Sequence, residues 1–182
     1  MSMQTFRWTE LEPQARDALL QRPAVADDAG IRKDTASIVA EVRSDGDAAL
    51  RALTKRLDGA TLSDFKVSDA ELAAANAALS PEQVQAIDVA IANVRRFHEA
   101  QMPSAIRVET APGVICEKVS HALDAVGLYV PAGTAPLPSA AVMLAVPAAI
   151  AGCPTRVLCT PPRSDGSADP AVVVAASRAG VL

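Results

Sequence analysis

The sequence predicts an α/β protein, in which a helical N-terminal region with a β-hairpin precedes an incomplete parallel βαβα unit. Three observations predict this class. Apolar residues recur at helical spacing through roughly the first hundred residues. Apolar and polar residues then alternate on either side of Pro112-Gly113, as they do in strands. Two apolar strands, each followed by a helix, occupy the rest of the chain. Strands that alternate with helices in this order are typical of a parallel sheet.

Composition limits the partners of the protein. The chain has 182 residues, 50% of them hydrophobic and 21% charged, and a net charge of -4 at pH 7. Its 17 Lys and Arg residues are scattered, which argues against a nucleic-acid partner. The start lacks the basic and apolar regions of a signal peptide, and the apolar stretch from Ala140 to Gly152 is too short to span a bilayer. We therefore expect a soluble, cytoplasmic protein that binds neither membranes nor nucleic acids.

The cysteines and histidines do not indicate a metal site. Cys116, Cys153 and Cys159 form no CxxC pair, so we interpret them as reduced residues of the core. His98 and His121 are the only histidines, and neither has neighbours at metal-ligand spacing. The sequence therefore predicts no zinc site within this chain.

The first elements are helices with clear boundaries. Pro13 begins a short helix that extends to about Gln21, and Pro23 ends it. Two helices follow, ending at Ser44 and at Leu57, and Gly59 closes the second. Their apolar residues recur at helical spacing: Ile31, Ile38, Val39, Val42, Leu50 and Leu53.

Two capping boxes mark the next helices. Ser68 with Glu71 predicts one helix start, and Ser80 with Gln83 predicts another, with Pro81 in its first turn. The helix that begins at Pro81 ends near Gln101. One stripe on it should pack against a partner layer, and its members are Val84, Ile87, Ile91, Val94 and His98. A structural role for His98 is favoured over a ligand role, because a cation in the last turn complements the helix dipole.

The second half begins with a hairpin and continues into the parallel unit. Alternation predicts hairpin strands from Ile106 to Glu109 and from Val114 to Val119. The parallel unit comprises a strand from Ala125 to Val130, a helix from about Ser139 to Ala151, a strand from Arg156 to Thr160 and a helix from about Asp169 to Ala179. Gly180 is placed to end the last helix. Val181-Leu182 resemble the start of a third strand, so we expect the pattern to continue in a longer protein.

A candidate ligand loop follows the first parallel strand. Ligands of open α/β sheets bind in the loops at the carboxyl ends of the strands, and the first such loop here is the Pro-rich segment from Pro131 to Pro138. Ser139 is expected to cap the following helix, whose N-terminus could then receive an anion. Tyr129, the only tyrosine, ends the strand. Its ring either stacks on a ligand or closes the rim of the core, and an ordinary strand-to-helix connection is the alternative for the loop.

Two stretches resemble the histidinol dehydrogenase family. They are Val126-Gly127-Leu128-Tyr129-Val130-Pro131-Ala132-Gly133-Thr134-Ala135-Pro136-Leu137 and, beyond it, Ala148-Ala149-Ile150-Ala151-Gly152-Cys153 with Val157-Leu158-Cys159-Thr160-Pro161-Pro162. Upstream segments around Asp45-Gly46-Asp47 and Pro112-Gly113-Val114 agree in order and spacing. The family pattern has two glycines after the proline, and Ala132 stands in place of the first.

The resemblance implies a function. Enzymes of this family oxidise L-histidinol through an aldehyde to L-histidine with two NAD⁺ and a zinc ion, as homodimers with two incomplete Rossmann-like domains and a helical arm. By resemblance, Tyr129 and Pro131 contact NAD, whereas the zinc ligands, the catalytic pair and the substrate histidines have no positions here. Residues 1–30 would form the arm, 31–121 a part of the first α/β domain, and 122–182 the start of the second.

A second class of function stays open. The chain alone lacks the base and Lewis acid that alcohol oxidation needs, so we expect it to be inactive by itself. It could instead serve as a non-catalytic nucleotide-binding module or as a dimerisation module. Affinity for a dinucleotide would separate these alternatives, because only a nucleotide-binding module should bind it saturably.

Overall fold

The chain divides into two compact units, Met1–Leu50 and Arg51–Leu182. A computed structural model describes residues 5–20, 29–132 and 135–181. None of the helices in these ranges is long and apolar enough to cross a membrane.

The first unit consists of helical elements. A 3₁₀ turn, Trp8–Glu10, precedes α1 (Pro13–Leu20) and α2 (Ala29–Asp45). Pro13 begins α1 as predicted, and Pro23, the predicted stop, lies outside the described residues. The guanidinium of Arg16 lies 5.4 Å from the centre of the Trp8 ring, within the range of a cation–π contact.

Three further helices follow: α3 (Asp47–Leu57), α4 (Asp69–Ala78) and α5 (Pro81–Ala100). Both predicted helix starts are confirmed, but the capping box at Ser68 forms only in half, because the Glu71 carboxylate accepts from the Ala168 N–H instead. The hydroxyl of Ser68 accepts a hydrogen bond from the Glu71 N–H at 3.1 Å. At α5 the capping box is complete, because the Ser80 hydroxyl accepts from the Gln83 N–H while the Gln83 side chain accepts from the Ser80 N–H.

The apolar stripe of α5 packs as its spacing predicts. Its five members, Val84, Ile87, Ile91, Val94 and His98, are all half-buried. Ile87, Ile91 and Val94 contact the main core. The His98 ring meets the Phe97 ring edge-on at 5.7 Å.

The hairpin consists of β1 (Ile106–Ala111) and β2 (Val114–Lys118), which pair antiparallel. Glu109 stabilises the turn, since its carboxylate accepts a hydrogen bond from the Gly113 N–H at 2.8 Å. All residues of both strands are exposed. The hairpin therefore presents apolar side chains on a surface that the described residues leave uncovered.

The parallel unit contains β3 (Ala125–Tyr129), α6 (Pro138–Ile150), β4 (Thr155–Cys159) and α7 (Pro170–Arg178), in the predicted order. The strands β3 and β4 pair in parallel from Ala125 opposite Thr155 to Tyr129 opposite Cys159. The parallel α/β class is thereby confirmed. Each boundary lies within one residue of its predicted position.

The core surrounds α6, which contacts α5, α7 and both parallel strands. Four valines are the largest fully buried side chains: Val130, Val146, Val172 and Val174. Burial of each contributes about 1.5–3 kcal/mol relative to an exposed position. Arg178 of α7 forms a bidentate ion pair with Asp88 of α5, and its hydrogen bonds lower the pKa of that carboxyl.

Both α6 and α7 end in the same motif. Gly152 and Gly180 adopt positive φ angles of 79° and 84°, a conformation that glycine adopts without strain. The next residue donates its N–H back into the helix, Cys153 to Ala148 and Val181 to Ala176. These are the hydrogen bonds of a Schellman motif, in which the residue after the glycine packs on the helix end. Gly180 therefore ends α7 as predicted, and Val181 completes this motif without pairing to a strand.

The interpretation of the cysteines needs correction. Cys153 is buried behind Gly152, but Cys116 and Cys159 are exposed. Cys116 belongs to the exposed hairpin, and Cys159 lies on the face of the parallel pair that points away from the core. Strand membership alone did not tell which face would be covered.

Candidate functional site

Two loops meet at the carboxyl edge of the parallel pair. One follows β3 and leads to α6, and the other follows β4 and leads to α7. The strands end in register, with Tyr129 opposite Cys159, and the Val130 N–H donates to the Cys159 carbonyl at 2.9 Å. This is the edge at which open α/β sheets bind ligands.

Tyr129 lies on the outward face of β3. Its side chain is 63% exposed, whereas the preceding Leu128 is only 8% exposed and belongs to the core. Alternation along the strand places Val157 and Cys159 of β4 on the same outward face. The exposure of the ring does not fit a residue that closes the rim of the core.

The loop after β3 folds back on itself. Pro131 is exposed, and Ala132 pairs with Pro136 in an isolated antiparallel bridge. Gly133 and Thr134 lie outside the described residues. The predicted cap at Ser139 is wrong: α6 begins at Pro138, Leu137 occupies the capping position, and no side chain there accepts a hydrogen bond. Proline suits the first helical position because its missing N–H would be unpaired there, so the helix starts one residue earlier than predicted.

The loop after β4 is organised by Asp169 and Arg163. One oxygen of the Asp169 carboxylate accepts from the N–H groups of Ala171 and Val172, at 2.9 and 3.3 Å, and caps α7. The other oxygen accepts from the Arg163 guanidinium at 2.6 Å. The side chain of Asp169 is 9% exposed and that of Arg163 is 49% exposed. A buried carboxylate thus holds a half-exposed cation at the rim of the site.

A second carboxylate lies in the same loop. The Ser167 hydroxyl and N–H both donate to Asp165, at 2.7 and 2.9 Å. These hydrogen bonds lower the pKa of Asp165, with a smaller contribution from the charge of Arg163. Asp165 is therefore ionised at neutral pH.

The two loops enclose two adjoining cavities. The larger, of about 550 Å³, is open to solvent and is lined by Asp58, Ala132, Pro161, Pro162, Arg163, Ser164 and Asp165. The smaller, of about 140 Å³, is lined by Ala132, Pro136, Arg163 and Asp169. The larger volume falls within the range of about 300–1,000 Å³ that is usual for small-molecule sites. Ala132 and Arg163 line both cavities.

The charges at this edge discriminate between the two helix N-termini. Asp169 already places a carboxylate at the N-terminus of α7, which disfavours a further anion there. Among the residues that the structure describes, none caps α6 with its side chain. An anionic part of a ligand would therefore favour the N-terminus of α6, next to the loop that follows Tyr129.

The sequence analysis assigned no role to the loop from Pro161 to Gly166 between the second parallel strand and the last helix, and so it missed Arg163 and Asp165. A signal for them was present, because this segment also follows a parallel strand and so reaches the same edge as the Tyr129 loop. Which of its side chains would face the cavity could not be read from the sequence.

Zinc has no ligand set among the described residues. Within 5–20, 29–132 and 135–181, no group of three or more His, Cys, Asp or Glu side chains could hold a metal ion. The described residues therefore do not fit a zinc ion. The exposed Tyr129 ring, by contrast, offers a flat face on which a nucleotide ring could stack, and Asp165 in the cavity wall offers an acceptor for hydroxyl groups.

Together, fold and site define an α/β protein with a candidate ligand-binding site at the carboxyl edge of two parallel strands. A family model described as histidinol dehydrogenase matches residues 20–182. The chain therefore belongs to the histidinol dehydrogenase family.

Individual relatives agree with this family. The chain is 55% identical over 179 residues to histidinol dehydrogenase of Xanthomonas campestris pv. campestris (strain ATCC 33913), and 49% identical over 179 residues to that of Xylella fastidiosa (strain 9a5c). Each alignment covers 98% of this chain and 42% of the relative. The crystal structure of histidinol dehydrogenase from Elizabethkingia anophelis superimposes with a TM-score of 0.86 at 35% identity, over 94% of this chain and 39% of that chain. The chain thus spans less than half the length of these relatives.

Proposed function

We propose that this chain is the nucleotide-contacting part of an NAD-dependent histidinol dehydrogenase. In the whole enzyme, L-histidinol would be oxidised to L-histidine with two NAD⁺, and zinc would be held by residues outside those described here. Membership of the family and the fold shared with the Elizabethkingia enzyme support this proposal. The protein would act in the cytoplasm as a homodimer.

The observation that carries the proposal is the position of Tyr129. A large aromatic ring stands 63% exposed at the last residue of a parallel strand, and Ala132, in the loop that follows, lines a cavity of about 550 Å³. Exposing such a ring forgoes the free energy of burying it, so a ligand or another part of the protein is expected to cover it. Stacking against a nucleotide ring at the strand's carboxyl edge would provide that cover, and Pro131 would lie in the same contact loop.

Bound NAD⁺ would supply the hydride acceptor. The residues of this chain would bind and orient it. Tyr129 would pack against a ring, the N-terminus of α6 would attract a phosphate, and Asp165 would accept hydrogen bonds from hydroxyl groups. None of these groups removes a proton from the substrate, so the base would come from elsewhere in the whole enzyme.

The proposal extends to the domain arrangement. Residues 1–30 would form a helical arm, 31–121 a part of the first α/β domain, and 122–182 the start of a second, incomplete Rossmann-like domain. The parallel pairing of β3 with β4 supports the last of these assignments.

A dimerisation module is the second candidate function. The exposed apolar residues of the hairpin favour it, because Ile106, Val108 and Val114 are each about half exposed. Exposed apolar patches of this kind mark association surfaces. One protein can have both functions, but only nucleotide binding depends on Tyr129 at the carboxyl edge of the parallel strands.

Isothermal titration of this chain with NAD⁺ tests the proposal. We expect weak, saturable binding of one NAD⁺ per chain, with NADH competing for the same site. L-histidine, which lacks a nucleotide ring, serves as a ligand control and should not compete. Absence of saturable NAD⁺ binding up to millimolar concentrations would contradict the proposal and favour the dimerisation module.

A further inference from the structure

Arg163 occupies an unusual position at the candidate site. It is the one charged residue that lines both cavities among the described parts of the chain. Its neighbour in both is Ala132, which belongs to the loop directly after Tyr129. The contacts that restrain Arg163 therefore also determine the distance between the loop after β4 and the loop after β3.

Several contacts hold Arg163. Its N–H donates to the Ser167 carbonyl at 2.7 Å, and its carbonyl accepts from the Gly166 N–H at 2.9 Å. Its guanidinium donates to Asp169 at 2.6 Å. The backbone and the side chain are thus restrained together, which is uncommon for a half-exposed arginine because long cations usually keep their rotamer freedom.

Asp169 connects this arginine to the core. Its carboxylate caps α7, and the buried face of that helix, with Val172 and Ala175, belongs to the main core cluster. Because the carboxylate is almost fully buried, it needs both the cap and the cation to compensate its lost hydration. The rigid helix α7 therefore positions Arg163 through Asp169.

We infer that Arg163 and Asp169 are positioning residues for the dinucleotide: their ion pair fixes the loop after β4 relative to Ala132 and so sets the shape of the two cavities that Arg163 and Ala132 line. This inference rests on the proposed nucleotide site. Neither residue needs to touch the reacting atoms. The ion pair would act by pre-organising these cavities, which lowers the entropy lost when the ligand binds.

The test compares NAD⁺ dissociation constants and unfolding curves for variants of this chain. Arg163→Met removes the cation and keeps the length of the side chain. Asp169→Asn removes the negative charge but keeps an equally good helix cap. Arg163→Lys keeps the charge and should restore most of the affinity. Arg178→Met is the matched control, because it breaks the ion pair with Asp88 at the other end of α7.

We expect Arg163→Met and Asp169→Asn each to weaken NAD⁺ binding about 5-fold. A loss of this size corresponds to the free energy that a well-positioned ion pair of this exposure contributes. The double variant should bind no more weakly than either single variant, because all three lack the same interaction. Arg178→Met should lower the denaturant midpoint and leave NAD⁺ affinity unchanged. If Arg163→Met does not fold, the comparison of Arg163→Lys with Asp169→Asn carries the same test.

The outcomes that overturn the inference are distinct from failure of the nucleotide site itself. Unchanged NAD⁺ affinity in Arg163→Met, or equal losses in Arg163→Met and Arg178→Met, would overturn the positioning role. Additive losses in the double variant would also overturn it, since each residue would then act on the ligand independently. Tyr129→Ala separates the two proposals: if it weakens binding while Arg163→Met does not, the site stands and this inference fails. Absence of NAD⁺ binding by the unaltered chain would overturn both.

Discussion

Tyr129 and Cys159 are partners at the last residue of two parallel strands, and both side chains face away from the core. Adjacent strands lie about 4.8 Å apart, so the thiol of Cys159 lies beside the exposed tyrosine ring. A ligand that covers the ring would also limit access to the thiol. The cysteine is therefore a chemical reporter for the proposed nucleotide site.

Saturating NAD⁺ should slow the alkylation of Cys159 by N-ethylmaleimide several-fold. The chain contains its own controls: Cys116 is exposed on the hairpin and should react at an unchanged rate, and the buried Cys153 should react slowly throughout. Peptide mass spectrometry after timed labelling measures all three rates. An unchanged rate at Cys159 would count against a ligand at this edge, and equal slowing at Cys116 would indicate a general tightening of the protein.

Tyr129→Ala should weaken NAD⁺ binding by roughly 5-fold, because packing on an aromatic ring contributes about 1 kcal/mol. Tyr129→Phe keeps the ring and should retain most of the affinity. Val157→Ala is the matched control, since Val157 is 53% exposed on the same face of the strand pair. Calorimetry measures the NAD⁺ dissociation constant of each variant. Equal affinity of Tyr129→Ala and the unaltered chain would show that the tyrosine does not contact the ligand.

Two serines at helix starts should respond differently to replacement by alanine. Ser80→Ala removes a complete capping box and should lower the free energy of unfolding by about 1 kcal/mol. Ser139→Ala should change it by less than about 0.5 kcal/mol, because Ser139 is exposed and lies inside α6 without capping it. Urea unfolding followed by circular dichroism measures both. A larger loss at Ser139 would mean that its hydroxyl caps α6 after all.

The chain by itself should not oxidise L-histidinol. The described residues contain no cluster of metal ligands, and no histidine lines either cavity. NADH formation at 340 nm should stay at the background rate under conditions in which a full-length histidinol dehydrogenase is active. Activity that rises with the concentration of the chain, and that persists after repeated purification, would show that a catalytic set is present.

The chain should associate with itself as its concentration rises. Apolar side chains of the hairpin are about half exposed, and both strands of the parallel pair have an outer edge that no other strand covers among the described residues. Light scattering after size exclusion should show a mass that increases with concentration. Ile115→Lys should reduce this association, whereas Ala77→Lys on the exposed face of α4 should not. A constant monomer mass would contradict the prediction.

Much of the fold could be read from the sequence because its signals are local. The capping box at Ser80 and the stripe of α5 involve residues within a few positions of one another, and each predicted feature is present. The glycines at 152 and 180 likewise act on the helix turn that precedes them. The wrong prediction that Ser139 caps α6 also concerns neighbouring residues, because Pro138 and Ser139 are adjacent and each favours a helix start.

The sequence by itself determined the order and type of the elements, the parallel unit and the location of Tyr129 at a strand end. Only the tertiary structure decided what surrounds that end. The cavities lined by both Ala132 and Arg163, the ion pair of Asp88 with Arg178 and the hydrogen bond from Ala168 to Glu71 all bring together residues that lie far apart along the chain. Likewise, alternation along β4 allowed either of its faces to be buried, and it was the packing of α6 on one of them that left Cys159 exposed. The physical reason is that capping and periodicity act over one or two helical turns, whereas the walls of a cleft are set by how separate elements pack.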